Sequence, residues 1–178
     1  MDAHPAAVRI EEADALSGEL VAAIAELVGQ LSASASAPSA EALEEIVASP
    51  ASRLLLAREP GGRIVGMLTL VVFRIPTGMR AWIEDVVVVE DARGRGVGER
   101  LTEAALELAE THGARTVDLT SRSGREAANR LYARLGFELR DTNVYRYAHR
   151  PRAERAASPA PRVSGPGGCG PPPARTAR

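Results

Sequence analysis

The chain has 178 residues, 45% of them hydrophobic and 25% charged, with a formal net charge of −1. This near-neutral balance predicts a globular protein without nucleic-acid or membrane partners, because no net charge draws it to a polyanion or an anionic surface. Its apolar stretches are far shorter than the roughly 20 residues that a membrane-spanning helix needs. The amino-terminal residues are too acidic and polar for a secretory signal. The single cysteine, Cys169, allows no internal disulfide, so we predict a cytoplasmic protein.

Hydrophobic periodicity predicts a strand, two helices and three further strands before residue 90. Alternation of apolar and polar residues indicates the first strand, and apolar residues at helical spacing, such as Leu16, Leu20 and Ile24, indicate the helices. Gly61 and Gly62 separate two apolar runs and predict a hairpin. The predicted strand ranges are 8–13, 53–60, 63–75 and 80–89, and the predicted helix ranges are about 14–31 and 39–48.

The sequence pattern of the second half of the chain predicts two more helices and three more strands. The first helix has its apolar face at Val97, Leu101, Ala105 and Leu108 and is predicted to end at residues 112–113. The predicted elements that follow are a strand at 116–121, a helix at 125–135 and a final strand pair within 137–149. The order of elements predicts an α/β fold, with one parallel strand pair in a mostly antiparallel sheet and helices on both faces.

Composition divides the chain at Pro151. Residues 1–150 are enough to bury a single core, and we predict one domain there. Residues 151–178 hold seven of the 12 prolines and, with five arginines against one glutamate, carry a charge of +4, which leaves −5 on residues 1–150. A segment with so few large hydrophobic side chains is predicted to be disordered. We interpret it as an extension without a binding role, and a basic binding tail is the alternative.

Three glycines at alternate positions distinguish the sequence RGRGVG, residues 93–98. It lies between the apolar run of residues 82–89 and the helical pattern of residues 99–113, so a strand, a loop and a helix follow one another. Glycine lets the backbone turn sharply and approach a ligand, and the first amides of a helix have no intrahelical acceptor. These amides and the helix dipole favour a phosphate, and Arg93 and Arg95 add positive charge. The motif predicts a site for a phosphorylated cofactor.

Two common phosphate-binding motifs do not fit this loop. A P-loop nucleotidase requires a lysine after its last glycine, and all 22 basic residues of this chain are arginine. A dinucleotide-binding fold requires the spacing GxGxxG and an acidic residue at the tip of the next strand. Here the spacing is GxGxG, and Asp118 lies inside its predicted strand.

The loop matches the pattern RxxGxG at Arg93, Gly96 and Gly98, and the sequence LYARLGF follows at residues 131–137. In these two motifs the chain resembles the GCN5-related N-acetyltransferase (GNAT) superfamily. The resemblance implies a mixed, mostly antiparallel central sheet with helices on both faces, and acetyl-CoA as co-substrate without a metal. It also implies that loop amides receive the CoA pyrophosphate and that backbone groups of the preceding strand contact the pantetheine arm and the thioester. The implied acetyl-CoA contacts are Val86, Val87, Val88, Arg93, Gly94, Arg95, Gly96, Val97, Gly98 and Asn129.

Acetyl transfer to an amine needs a base for the amine proton and an acid for the departing thiolate. Glu84 and Asp85 are the candidate bases; successive strand residues face opposite sides, so only one can point into the cleft, and we choose Glu84. The alternative is that the carboxylate only pairs with Arg80 or Arg146. Tyr132 stands at the tyrosine of the family's LY motif and is the candidate acid, with a packed core tyrosine as the alternative.

The acceptor is left open by the sequence. The resemblance implies a primary amine of a small molecule or peptide, with pocket walls at Arg140, Asp141, Asn143 and Tyr145. Many members of the family are dimers, so the resemblance leaves a homodimer open. The alternative function is a non-catalytic acyl-CoA-binding regulatory module. No histidine spacing indicates a metal site, and we predict none.

Overall fold

A computed structural model describes residues 8–32 and 35–149. The chain divides into two compact units, Met1–Glu138 and Leu139–Arg178. All helices and strands of the described residues lie in the first unit. The strands are β1 (Arg9–Glu12), β2 (Ser52–Arg58), β3 (Ile64–Ile75), β4 (Gly78–Val88) and β5 (Val117–Leu119). The α-helices are α1 (Gly18–Leu31), α2 (Ala40–Ala48), α3 (Val97–Thr111) and α4 (Glu126–Arg134), and a short 3-10 helix covers Glu90–Ala92.

The five strands form one sheet in the order β1-β2-β3-β4-β5. Neighbouring strands are antiparallel, except that β4 and β5 run parallel. Four successive residues of β2, residues 54–57, are buried, as are residues 64–68 at the start of β3. Because successive side chains point to opposite faces, both faces of the sheet are covered there, which confirms the predicted layered α/β fold.

Helix α3 packs closely on one face of the sheet at Gly66. A Cβ atom on Gly66 would lie 3.1 Å from Cδ1 of Leu101 and 3.3 Å from Cγ1 of Val97, so a larger residue would push α3 away. Leu101 and Ala105, one turn apart on α3, are fully buried. Helices α1 and α2 contact strands β2 to β4 and cover the other face, with Leu27 and Leu43 in the core. This packing fixes where α3 begins relative to the end of β4.

Two serines set where the first helices begin. The Ser17 hydroxyl accepts a hydrogen bond from the Leu20 N–H, and Ser17 itself is extended, so α1 starts at Gly18 rather than at the predicted residue 14. Ser39 caps α2 in the same way through the Ala42 N–H, close to the predicted start. A serine just before an apolar helical pattern is a stronger signal for a helix start than the apolar spacing alone, because its hydroxyl can accept from the amide three residues later.

The prediction of a final strand pair within residues 137–149 is wrong. None of these residues lies in a strand. Four polar residues in succession, residues 140–143, interrupt the apolar pattern, and Leu139 and Tyr145 are exposed. A strand exists only where its backbone groups pair with a neighbour, and the local sequence alone does not supply one. Residues 139–149 belong to the second unit, and the predicted disordered tail, 151–178, lies outside the described residues, as does Cys169.

In the described part of the chain, no helix has the length and apolar character needed to cross a membrane.

Candidate functional site

Strand β4 contains a β-bulge at the two acidic residues of the predicted site. Thr69 pairs with Glu84, whereas Met67 pairs with Val87, so two residues of β4 lie opposite one residue of β3. Asp85 takes up the extra length with a φ of 53°, in the left-handed region that aspartate tolerates better than most residues. Such strained residues concentrate at functional sites. The bulge separates Glu84, in the regular part of β4, from the strand end that continues to Val88.

Just before the bulge, β4 loses its second neighbour, β5. Strand β5 pairs with β4 only from Ala81 to Ile83 and ends at Leu119, so the rest of β4 has only β3 beside it in the described sheet. The Val89 N–H donates to the Val65 carbonyl of β3 at 2.9 Å. Because alternate residues of a strand point to opposite sides, the Val88 N–H and carbonyl point away from β3, to the side that β5 has left.

The loop after β4 leads directly into helix α3 through two glycines with positive φ. Gly94 has a φ of 73°, and Gly96, the N-cap of α3, has a φ of 77° with no side chain capping the helix. A Cβ atom at either position would meet no heavy atom within 4 Å. The first intrahelical bond runs from Arg100 N–H to the Gly96 carbonyl, so the amides of residues 97–99 precede it. An open, positively polarised helix end therefore stands beside the free edge of β4.

Gly98, the third glycine of the motif, serves packing rather than backbone conformation. Its φ is not positive, and a Cβ atom there would lie 3.6 Å from Cδ2 of Leu131 on α4 and 3.9 Å from Cγ2 of Val88 on β4. The end of β4, the start of α3 and the middle of α4 therefore meet at Gly98. The Val97 and Val87 side chains are buried in the core. Of these two predicted contact residues, Val97 can reach a ligand only through its backbone, and the backbone of Val87 faces Met67 of β3.

The two arginines of the loop are held by different partners. The Arg93 side chain donates through Nε to the Val88 carbonyl at 3.1 Å, across the end of β4. Arg95 pairs with Glu59 at 2.9 Å. Gln30 of α1 accepts a hydrogen bond from the Glu90 N–H at 3.0 Å, which ties the loop to α1. These contacts restrict the conformations of the loop before a ligand binds.

Ion pairing also fixes the 3-10 turn between β4 and the loop. Arg63, just before β3, lies 2.6 Å from Asp91. The hydrogen bond from Arg63 holds the pKa of the Asp91 carboxyl below its ordinary value. The carboxylate therefore stays charged at neutral pH. Its ion pair with Arg63 makes it unsuitable as a base for a substrate.

Glu84 accepts a hydrogen bond from a residue that sequence reasoning did not single out. The Trp82 Nε1–H donates to Oε1 of Glu84 at 2.8 Å, and Glu84 is exposed. The Arg80 guanidinium, predicted as an alternative partner for this carboxylate, instead donates to the Thr116 hydroxyl at 2.7 Å. Residues two apart on a strand share a face, so the spacing of Trp82 and Glu84 could have predicted this contact from the sequence.

Tyr132 is half-buried on α4, and its ring packs edge-on against Phe137 with centroids 5.7 Å apart. Within the described residues its hydroxyl has no hydrogen-bond partner. Burial raises the pKa of the Tyr132 phenol above its ordinary value, with a smaller opposite effect from Arg125. The phenol is therefore protonated at neutral pH and able to donate. Its ring packs as a core tyrosine would while its hydroxyl stays available.

Asn129 has a structural partner that the sequence did not indicate. Its side-chain amide donates to the Arg122 carbonyl at 3.0 Å and to the Ser123 carbonyl at 3.3 Å, so it closes the loop before α4. Only its side-chain oxygen is left for the predicted CoA contact. The proposed acceptor walls at residues 140–145 lie in the second unit. No group of three or more histidine, cysteine or acidic side chains suited to a metal occurs in residues 8–32 and 35–149.

Comparison with known proteins connects this geometry to a family. The model of the acetyltransferase (GNAT) family matches residues 20–137, which include β4, the loop, α3 and α4. N-alpha-acetyltransferase 30 from Schizosaccharomyces pombe is 37% identical over 71 residues, 40% of this chain and 47% of the relative. L-methionine sulfoximine/L-methionine sulfone acetyltransferase from Pseudomonas paraeruginosa is 33% identical over 87 residues, 48% of this chain and 51% of the relative. The chain thus spans about half the length of each of these curated relatives.

A solved structure shows the same fold over a longer range. An aminoglycoside acetyltransferase from an uncultured soil metagenomic sample, in complex with sisomicin, superimposes with a TM-score of 0.72 at 18% identity. The superposition covers 82% of this chain and 97% of that one. The family match, the shared fold and the glycine loop at the start of α3 agree, and the chain belongs to the acetyltransferase (GNAT) family.

Proposed function

We propose that this chain is an N-acetyltransferase that transfers an acetyl group from acetyl-CoA directly to a primary amine. The observation that carries the proposal is the open helix end at Gly96 beside the free edge of β4. The unpaired amides of residues 97–99 suit a diphosphate, and a bound anion there gains from the helix dipole as well. The open space at Gly94 and Gly96 leaves room for phosphate oxygens against the backbone.

The edge of β4 supports the contacts proposed for the rest of acetyl-CoA. The Val88 N–H points to the side vacated by β5, where an extended pantetheine arm can pair with the strand. Of residues 86–88, the proposed donors to the developing oxyanion are the backbone amides of Val86 and Val88, since Val87 is paired with Met67 of β3. The bulge fits this proposal, because it shifts the register with β3 by one residue just before these residues.

The proposed chemistry is one displacement with two proton transfers. The amine nitrogen attacks the thioester carbonyl carbon, the C–N bond forms and the C–S bond breaks. Glu84 takes the proton that the amine nitrogen loses, directly or through one water, and the Tyr132 hydroxyl gives its proton to the CoA sulfur. Holding the two reactants in line supplies much of the rate, on the order of 7 to 11 kcal/mol in well-oriented reactions.

The acceptor is proposed as an amine of a small molecule or peptide. One curated relative is named an N-alpha-acetyltransferase, and the other acts on L-methionine sulfoximine and L-methionine sulfone. Amino acids and peptide amino termini therefore belong in the first substrate panel, together with simple polyamines. The charge of −5 on residues 1–150 favours the approach of cationic acceptors. We place the reaction in the cytoplasm, as the single cysteine suggested.

The test is thiol release from acetyl-CoA in the presence of the amine panel. Glu84→Gln and Tyr132→Phe should each lower kcat about 100-fold, because each removes one proton transfer, and should leave the affinity for CoA unchanged. Glu103→Gln, which removes an exposed carboxylate on α3, is the control and should act as the parent does. Tight acetyl-CoA binding with no turnover on any amine would instead support the non-catalytic acyl-CoA-binding module.

A further inference from the structure

The hydrogen bond between Trp82 and Glu84 connects a part of β4 that has strands on both sides to a part that has only β3 beside it. Trp82 pairs with Val71 on β3 and with Asp118 on β5, so its backbone is held in the ladder from both sides. Glu84 has only Thr69 of β3 opposite it, and the bulge follows immediately at Asp85. Because only one neighbouring strand holds the backbone here, the Glu84 carboxylate needs a side-chain partner to keep a fixed orientation. Trp82 is that partner, with its Nε1 atom 2.8 Å from Oε1 of Glu84.

The donor is chemically suited to orient a base without competing with it. An indole N–H donates but does not accept, so Trp82 cannot receive the proton that Glu84 takes up. It is also neutral, unlike the nearby Arg80, whose guanidinium is directed to the Thr116 hydroxyl. Glu84 therefore forms no ion pair with Arg80, and within the described residues its Oε2 has no hydrogen-bond partner.

We propose that Trp82 is a positioning residue, whose indole N–H holds Oε1 of Glu84 and turns Oε2 towards the acceptor amine. This inference rests on the proposed role of Glu84 as the base. It goes beyond that role because it assigns a function to a residue that does not itself exchange a proton. Misplacing a base by a small distance lowers the rate of proton transfer, so the effect should fall on kcat rather than on acetyl-CoA affinity.

The chain offers a sharp test because Trp82 is its one tryptophan. Growth on 3-benzothienylalanine, an analogue with sulfur in place of the indole N–H, replaces Trp82 alone and preserves the size of the ring. With the amine that gives turnover, kcat should fall about tenfold, the lower end of the effect of losing a hydrogen bond to a charged group. KM for acetyl-CoA should not change. In a Glu84→Gln background the same replacement should change kcat less than twofold.

The outcomes separate this inference from the proposed function. If Glu84→Gln lowers kcat while the analogue leaves it unchanged, the positioning role is refuted and the proposed base stands. If the analogue lowers kcat equally in both backgrounds, Trp82 acts through packing and the inference is again refuted. If Glu84→Gln is as active as the parent, the base assignment itself fails, and the inference fails with it.

Fluorescence gives a second measurement that does not depend on the analogue folding. All tryptophan emission comes from Trp82, and the hydrogen bond to a carboxylate affects the indole directly. Glu84→Val removes the acceptor oxygen and should shift the emission maximum, whereas Glu103→Gln on α3 should not. Identical emission spectra for the parent and Glu84→Val would overturn the contact on which the positioning role depends.

Discussion

Introducing a carboxylate at the start of α3 would test the proposed diphosphate site, because its negative charge would repel the phosphates. Gly96 and Gly113 flank the same helix, with φ values of 77° and 73°, and a Cβ atom at either position would meet nothing within 4 Å. A non-glycine residue in this conformation costs about 1–2 kcal/mol, partly offset by about 0.4–1 kcal/mol from a less flexible unfolded chain. We therefore expect Gly96→Glu and Gly113→Glu each to lose about 1 kcal/mol of stability while the fold stays intact.

Binding should distinguish the two ends of the helix. A carboxylate about 4 Å from a phosphate costs between roughly 1 and 4 kcal/mol, depending on local solvation, and we take about 2 kcal/mol as the estimate. Gly96→Glu should then bind CoA about 30-fold more weakly than the neutral, equally long Gly96→Gln. Gly113→Glu, at the far end of α3, should bind as the parent does.

Isothermal titration of each variant with CoA, at low salt and at about 1 M salt, measures the effect, and the difference between glutamate and glutamine should shrink as salt screens the charge. Equal CoA affinities for Gly96→Glu and Gly96→Gln would refute the reasoning, as would an equal loss in Gly113→Glu.

Three further predictions concern stability, each measured by urea unfolding. Asp85→Val should lose about 2 kcal/mol, because a β-branched residue fits poorly at a φ of 53°, whereas Asp85→Gly should not be less stable than the parent. Gly66→Ala should lose about 1–3 kcal/mol, since its Cβ would lie 3.1 Å from the Val87 carbonyl oxygen; Gly29→Ala on α1, with open space around it, should instead be neutral or stabilising. Burial raises the pKa of Tyr132, so the folded chain keeps a proton above about pH 10 that the unfolded chain has lost. Stability should therefore fall as the pH rises past about 10, and less so in Tyr132→Phe; an equal fall in both would contradict the buried phenol.

Local features of the fold could be predicted because neighbouring residues determine them. Ser39 marks the start of α2, and His112 with Gly113 marks the end of α3, since caps depend on a few adjacent residues. Apolar spacing predicts too early a start for α1, because the Ser17 cap places that start at Gly18. The strand pair predicted within 137–149 is absent, because a strand needs a neighbour to pair with and the local sequence does not supply one.

The sequence by itself determined the glycine loop, the helix that follows it and the open helix end at their junction. These depend on backbone conformations that glycine permits and on amides that any helix start leaves unpaired. Only the tertiary structure decided the bulge at Asp85, the end of β5 opposite Ile83 and the hydrogen bond from Trp82 to Glu84. The register of a strand depends on partners distant along the chain, and a shift of one residue changes which side chains share a face.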